Sequence, residues 1–434
     1  MSDLLASPWL PTMAMFLLAC GARLLCGTWL APGPFGLLIW TTYLVFPLTL
    51  APEYPVPALG PWIILLLVLS IALGAQLGAR PTAAIREAAP PDLARYKRML
   101  QLSLIQTLLG SIGAVYWAGR ALSENSLDVS APGMLMLGHI LSVQRYAGET
   151  PPFLARILVM WLFPAALLSG IAFRALKTRK QRALCFVVLI PTVFLSLMQA
   201  SRANTLIVVA LGLSGYLSMR ARTTNSARRL ITRRGLAAVA LSVLAALSFF
   251  FVVDALRSHD QDQEIEFGTD WGRAKYFSLG YLAVFSHWAN LPEGPSSLHF
   301  GLGTYTFGGV LDSVGLHARL VGVYGEYVTL EDGESNIYTA FRGLIEDFSL
   351  PGAALFCIVL GLLAGRAYQL TVEGRTVWAA GLAGYYLFLV WSPIVSVFVY
   401  NSLILAIATG AVMLGRKGAA RATPHLQNCR FRAA

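Results

Sequence analysis

Charge is what this 434-residue chain has least of. Aspartate and glutamate number 22 against 33 lysines and arginines, and charged residues make up 13% of the sequence. That is about half the share in a soluble globular domain, and 56% of the residues are hydrophobic. Other absences narrow the chemistry. The five cysteines, at 20, 26, 185, 357 and 429, form no CxxC or Cys/His spacing. Four of them lie in apolar runs and behave as small hydrophobes, so neither a disulfide scaffold nor a zinc site is supported. No P-loop, no GxSxG and no internal repeat is present, and no His/Asp/Glu spacing specifies a metal. No cofactor is expected.

Apolar runs of about 20 residues recur instead, the length that crosses about 30 Å of hydrocarbon. The expected spans are 10–28, 34–50, 61–79, 99–122, 153–175, 183–200, 203–219, 235–253, 351–368, 377–394 and 398–414. This predicts an all-α integral membrane protein of about 11 transmembrane helices, a single polytopic domain over 1–434. The first run lacks a basic n-region and is followed at once by further spans, so it is expected to be a true helix, not a cleaved signal.

The net charge of +11 does not point to nucleic acid. Segments 80–98, 174–182, 220–234, 366–375 and 416–434 hold 23 of the 33 basic residues and only three acids, Glu87, Asp92 and Glu373. Each lies beside an apolar run, which is the positive-inside pattern. The expected partner of these clusters is the bilayer and its anionic lipids. With the clusters in the cytoplasm, run 183–219 must go out and return, because both its flanks are basic. Its one charge, Arg202, falls at the midpoint in Gln199-Ala200-Ser201-Arg202-Ala203-Asn204. Run 377–414 behaves likewise, turning near Trp391-Ser392-Pro393 and Tyr400-Asn401.

One stretch breaks the apolar pattern. Segment 254–350 carries 14 of the 22 acidic residues and five basic ones. It is expected to be a large, partly helical external loop. A helix is expected over 272–288, then a glycine-rich stretch over 298–323. There Gly301-Leu302-Gly303 and Gly308-Gly309 read as turns. A second helix should start near Asn336. The loop closes on Ser335-Asn336-Ile337-Tyr338-Thr339-Ala340-Phe341-Arg342-Gly343-Leu344-Ile345-Glu346-Asp347-Phe348. A shorter external segment, 123–152, contains Met134 to Leu141 and suits an interfacial or re-entrant helix better than a span.

The candidate residues follow from cost. An arginine at the membrane boundary is expensive, about 2.5–3.5 kcal/mol on insertion scales, and marks a functional site by default. Arg202 answers that description; the plainer reading is an arginine snorkelling to headgroups. Arg257 sits one turn outside a span, where Asp254 at i−3 offers a simple salt bridge. Arg342 and Glu346 are i,i+4 on a helix, so a structural ion pair is as good a reading as catalysis. Asp347 is the other carboxylate there. Three arginines at one leaflet, with Arg273 and Lys275 nearby, match the charge and fork geometry of phosphate oxygens. They imply a phosphate- or pyrophosphate-bearing substrate embedded in that leaflet. Asn336 and Tyr338 belong to the closing signature. His287, His299 and His317 share the loop, and each alone is more often a packed histidine than a catalyst.

At these residues the chain resembles a known family. A long external loop ending Asn-x-Tyr-Thr-x-x-Arg-x-x-x-Glu-Asp-Phe before Pro351-Gly352, together with the Ser201-Arg202 turn, looks like Wzy-type O-antigen or capsule polymerases. Both arginines recur in an Arg-x9-Gly spacing, Arg202 to Gly212 and Arg342 to Gly352. That spacing is similar to, but one residue shorter than, the one in some members. Arg202-Ala203-Asn204-Thr205-Leu206 also looks like the Arg-x3-Leu element of the related O-antigen ligases. The resemblance implies a GT-C-like, membrane-integral glycosyltransferase of the bacterial inner membrane with its site facing the periplasm. It would polymerise oligosaccharide repeat units carried on undecaprenyl pyrophosphate in O-antigen, capsule or exopolysaccharide synthesis. A flippase and a chain-length regulator are the implied partners. Arg202, Arg257 and Arg342 would stabilise the departing pyrophosphate, and Glu346, Asp347 or a loop histidine would accept the proton. A ligase activity and a flippase are the competing expectations.

Overall fold

The structure is a computed structural model that describes residues 6–79, 93–146, 149–223, 249, 253, 271–292, 294–295, 300–317, 324–331 and 333–415. The helices are α1 (Trp9–Cys26), α2 (Pro32–Leu50), α3 (Leu59–Gly78), α4 (Leu93–Glu124), α5 (Ala131–Tyr146), α6 (Phe153–Val159), α7 (Leu162–Ala175), α8 (Arg179–Leu184), α9 (Leu189–Met198) and α10 (Ala203–Thr223). Then come α11 (Trp271–Leu279), α12 (Tyr281–Ala289), α13 (Thr304–Ser313), α14 (Ala340–Val372), α15 (Trp378–Trp391) and α16 (Asn401–Gly415). An antiparallel hairpin of β1 (Val328–Leu330) and β2 (Gly333–Ser335) precedes α14.

Among the described residues, seven helical segments are long and apolar enough to cross a membrane: α1, α2, α3, α4, α6–α7, α8–α9 and α14. The protein is a multi-pass, mostly helical membrane protein. Of the other expected spans, 203–219 lies within α10, while 377–394 and 398–414 appear as the shorter apolar helices α15 and α16. Span 235–253 lies outside the described residues, except Phe249 and Val253.

In lipid, apolar side chains gain little by leaving their solvent, so helices associate through close backbone packing at small residues. The pairing of α3 with α14 is built this way. Gly74 and Gly78 on α3 face Gly361 and Gly365 on α14. A Cβ at any of the four would overlap backbone of the opposite helix, at Ile358, Leu362, Ile71 and Ala75 respectively. Each pair has GxxxG spacing. The α7–α10 contact repeats the device: a Cβ on Gly170 would overlap the Gly212 carbonyl.

Prolines open the helices to the loop. Pro47, inside α2, lacks the N–H that would occupy the Tyr43 carbonyl. The Tyr281 hydroxyl of α12 donates to that carbonyl at 2.6 Å. Tyr43 in turn donates to the Val390 carbonyl of α15 at 3.0 Å. Pro393 likewise leaves the Leu389 carbonyl free, and Ser392 Oγ donates to it at 2.8 Å. The Ser392 carbonyl then accepts the first amide of α14, from Ala340, at 2.7 Å. These bonds fasten α12 and the start of α14 to the helix bundle.

Three loop expectations change. The helix expected over 272–288 is broken at Gly280 into α11 and α12. The stretch 298–323 contains a helix, and Gly308 and Gly309 lie inside it, not in a turn. Gly309 is there for contact: a Cβ would overlap the Val399 carbonyl in the 3-10 turn Val397–Val399. The final helix begins at Ala340, after an extended Thr339. It breaks at Ser349, where φ 62° and ψ 170° lie in a region that side chains avoid, at a cost of about 1–3 kcal/mol. Pro351 follows and cannot continue the hydrogen-bond ladder. Within 123–152, the expected helix forms as α5.

The glycine contacts generate a test. Gly361→Ala should lower thermal stability in detergent by about 1–3 kcal/mol, the usual cost of overpacking. Gly21→Ala, whose Cβ would meet nothing within 4 Å, should be neutral or stabilising by up to about 1 kcal/mol. Equal melting temperatures for the two variants would remove the close-packing account of α3 and α14.

Candidate functional site

The turn before α10 is tight. Ser201 N donates to the Ser196 carbonyl at 2.8 Å and Ala200 N to the Leu197 carbonyl at 3.0 Å. This bond pair, with a left-handed residue between, is a Schellman ending of α9. The left-handed residue is Ala200, with φ 43°, where glycine is usual. Ser196 Oγ accepts the amide of Thr205 in the first turn of α10 at 3.1 Å, and it pairs with the Thr205 hydroxyl at 2.8 Å. The braced turn sets Arg202 at the entry of α10, 9% exposed, with its guanidinium 5.0 Å from the Phe277 ring centre on α11.

Arg342 lies in the first turn of α14 and is 3% exposed. Its guanidinium carbon sits 4.0 Å from the Tyr338 ring centre, 4.1 Å from Tyr324 and 5.3 Å from Trp288. The two tyrosine rings meet at 68°, and Tyr305 stacks on Tyr324 with centroids 5.3 Å apart. The result is an aromatic cage, whose negative ring faces suit a cation. Burial pushes the Tyr324 phenol well above its ordinary range and raises Tyr338, so both stay neutral. Asn336 Nδ2 donates to the Tyr324 carbonyl at 3.0 Å and holds the cage segment to the closing signature.

Arg342 Nε donates to Glu346 Oε1 at 2.7 Å, and an Nη nitrogen donates to Glu326 Oε2 at 2.6 Å. The Glu326 side chain is 68% exposed, whereas that of Glu346 is 17% exposed. Two buried polar atoms at this point make no hydrogen bond among the described residues: Arg342 Nη1 and Glu346 Oε2. A buried donor and a buried acceptor left this way cost about 1–3 kcal/mol each. The guanidinium thus meets one largely buried carboxylate and one exposed carboxylate.

Asp347 has a different position. It is fully buried, and its two oxygens accept the amides of Tyr305 at 3.1 Å and Thr306 at 2.6 Å. These are orphan amides in the first turn of α13, so Asp347 caps that helix from another element. The Glu346 carbonyl accepts the Gly301 amide at 2.9 Å beside it. Adjacent carboxylates therefore point to separate tasks, one toward the arginine and one toward α13.

The remaining candidates scatter. Lys275 forms an ion pair with Glu53 in the α2–α3 loop and lies 5.6 Å from the Tyr54 ring centre. Arg273 is on α11. His287 is exposed in the last turn of α12, and His317 is exposed after α13. Arg257 and His299 lie outside the described residues. The two placed arginines share a framework: Arg202 packs on Phe277 of α11 and Arg342 on Trp288 of α12, nearly consecutive helices. Tyr276, 4.4 Å from Phe277 by ring centres, packs its edge against Gly333 at the start of β2. Sequence reasoning missed Glu326, Tyr324, Trp288 and Phe277. A run of tyrosines, Tyr305, Tyr324, Tyr327 and Tyr338, in the loop that carries Arg342 was the available signal. Among the described residues no group of His, Cys, Asp and Glu is disposed to hold a metal ion.

Comparison with protein-family models, with curated proteins and with solved structures finds no match for this chain.

The cap yields a prediction. Asp347→Asn keeps one acceptor oxygen but turns an amide nitrogen toward a backbone N–H. It should lower the melting temperature, at a cost of about 1–3 kcal/mol for the group left unsatisfied. Unchanged stability with lost activity would instead make Asp347 a participant in chemistry.

Proposed function

We propose that this protein is a membrane-integral glycosyltransferase that polymerises oligosaccharide repeat units carried on a polyprenyl pyrophosphate, as its resemblance to Wzy-type polymerases implies. The observation that carries the reading is the pair Arg202 and Arg342, each held against aromatic rings of the α11–α12 framework at one end of a multi-pass bundle. Guanidinium forks at a leaflet boundary match phosphate oxygens in charge and geometry, and one carboxylate partner of Arg342, Glu326, has an exposed side chain that a lipid-linked phosphate can replace. In this reading the site faces the periplasm and the protein resides in the bacterial inner membrane. All of the expected 11 spans would then be used, in a GT-C-like arrangement.

The reaction needs little from the protein beyond charge and position. A hydroxyl oxygen of the incoming unit attacks the anomeric carbon of the growing glycan. The bond from that carbon to the pyrophosphate oxygen breaks, and the pyrophosphate leaves with the electron pair. The hydroxyl proton passes to a base. Charge builds on the leaving oxygens, where guanidinium forks match it. Glu326 occupies the outer nitrogen of Arg342 at rest; the substrate phosphate replaces it, and the exposed glutamate swings to solvent. Glu346 fixes the fork through Nε, and the cage keeps water from the other face.

Deletion of the protein should leave single repeat units on the acceptor and no long-chain ladder on a surface-glycan gel. Full-length polymer accumulating on the lipid carrier would point to a ligase, and lipid-linked units held at the cytoplasmic face to a flippase. Within the same assay, Arg202→Lys and Arg342→Lys should each cut polymer formation by about 10²–10³ at unchanged protein abundance, since lysine keeps charge but not the fork. Arg179→Lys, in a basic cluster, should be silent. A near-normal ladder from both site variants would falsify the bidentate role.

Glu346→Gln separates orientation from proton transfer. The amide can still accept from Arg342 Nε but cannot take up a proton. With the ion pair to Nε as its role, the purified variant should keep partial activity on a lipid-linked unit. Complete loss at matched protein level would make Glu346 the base.

A further inference from the structure

A second feature lies beside the Arg202 turn and takes no part in the site above. The end of α4, helix α5, the segment leading into α6 and Gln199 enclose a cavity of about 310 Å³. Its polar and aromatic lining comprises Trp117, Arg120, Glu124, Gln144, Glu149, Thr150 and Gln199. Trp117, Arg120 and Glu124 stand at i, i+3 and i+7 on α4, which puts them on one helix face. Trp117 is half-buried and packs on the hydrophobic core. Arg120 Nε donates to Glu124 Oε1 at 2.6 Å, and both side chains are about half exposed. Gln199 leads directly into the strained Ala200 and Arg202, and its Oε1 accepts from Asn204 Nδ2 at 3.5 Å.

We propose that this cavity is a carbohydrate subsite that receives the acceptor end of the glycan. The inference rests on the polymerase reading for its place in the reaction, but not for its chemistry. A sugar ring offers an apolar face of C–H groups and an equatorial rim of hydroxyls. A half-buried indole suits the first. Carboxylates and amides, which accept and donate in pairs, suit the second. The volume falls at the small end of ligand cavities, about 300–1,000 Å³, which accommodates one or two rings. Arg120 and Glu124 pair with each other, and Glu149 adds an exposed carboxylate to the lining, which disfavours an acidic sugar. The cavity therefore selects neutral or N-acetylated sugars and rejects uronic and sialic acids. Leu141, Pro151 and Pro152 complete the wall and suit an acetyl methyl. A unit bound here would sit beside Gln199, three residues from the arginine that meets the pyrophosphate.

The test is direct binding of the full-length protein in lipid nanodiscs to a panel of defined neutral, N-acetylated and acidic oligosaccharides. Saturation-transfer NMR and titration provide the readout. Expected is binding by neutral or N-acetylated members, weakened about tenfold by Trp117→Phe and abolished by the pair Trp117→Ala and Gln144→Ala. Arg342→Lys should bind the same sugars as the parent, because Arg342 is not part of the cavity. Monodisperse, thermally unaltered protein is the criterion for a valid variant, and Trp117→Phe supplies the conservative case. No binding by any panel member, binding only by acidic sugars, or binding indifferent to Trp117 and Gln144 each overturns the proposal. The two readings fail separately. Sugar binding with an intact ladder in the Arg→Lys variants sinks the polymerase site alone; lost ladder in those variants without sugar binding sinks the cavity alone.

Discussion

Arg342 carries a charge that protein surroundings do not remove, and it carries it where only 3% of the residue meets solvent. Most of the loop's architecture serves to make that tolerable. A buried ion is stabilised only when attraction and hydrogen bonds together offset its desolvation. Here Tyr338 and Tyr324 present ring faces near 4 Å, Glu346 supplies an ion pair one helical turn away, and Glu326 supplies another from 16 residues upstream. The segment 324–338 must fold back over α14 for this cage to exist. The β1–β2 hairpin and the Asn336–Tyr324 bond give it the shape to do so.

Rigidity comes from the membrane side. Helix α14 starts on the Ser392 carbonyl, and α12 is tied to the Tyr43 carbonyl that Pro47 leaves vacant. Prolines that would weaken a soluble helix by about 3 kcal/mol here leave carbonyls that the Tyr281 and Ser392 hydroxyls fill. The glycine seam of α3 and α14 then holds the helix that bears Arg342 against the bundle. The break at Ser349 separates the two duties of α14. Residues 340–348 form the floor of the cage, and those after Pro351 form the span.

Much of this was legible from residues alone, and the boundary between what was and was not has a physical cause. Patterns with a short period in the chain could be read. Apolar runs located the helices long enough to span among the described residues; the lone Arg202 between two basic flanks located the turn; the i,i+4 spacing of Arg342 and Glu346 announced their pair, which forms. The GxxxG spacings of Gly74 with Gly78 and Gly361 with Gly365 were equally local, and only their partnering needed coordinates. Contacts closed by distant segments could not be read. Nothing in the sequence tells that Asp347 reaches the amides of Tyr305 and Thr306, or that Glu326 reaches Arg342, because each requires the loop's course. Gly308-Gly309 misled for a related reason: glycine pairs signal turns, but here tertiary contact with Val399 demanded a bare backbone inside a helix.

The division of labour between Glu346 and Asp347 follows from helix geometry. Successive residues on a helix point about 100° apart, so neighbours rarely share a ligand. One faces the cage and the other faces α13. Asp347 sets the position of α13, and the Glu346 carbonyl holds Gly301 beside it. Tyr305, on α13, stacks on Tyr324, which lines the cage. The capping carboxylate therefore reaches the arginine through packing, not through charge transfer: Asp347 to α13, α13 to Tyr305, Tyr305 to Tyr324, Tyr324 to Arg342. Every link is a contact of a buried or half-buried group. That is why a site on a long loop can keep the guanidinium to one orientation, and why the orientation, more than the charge, is what the surrounding residues encode.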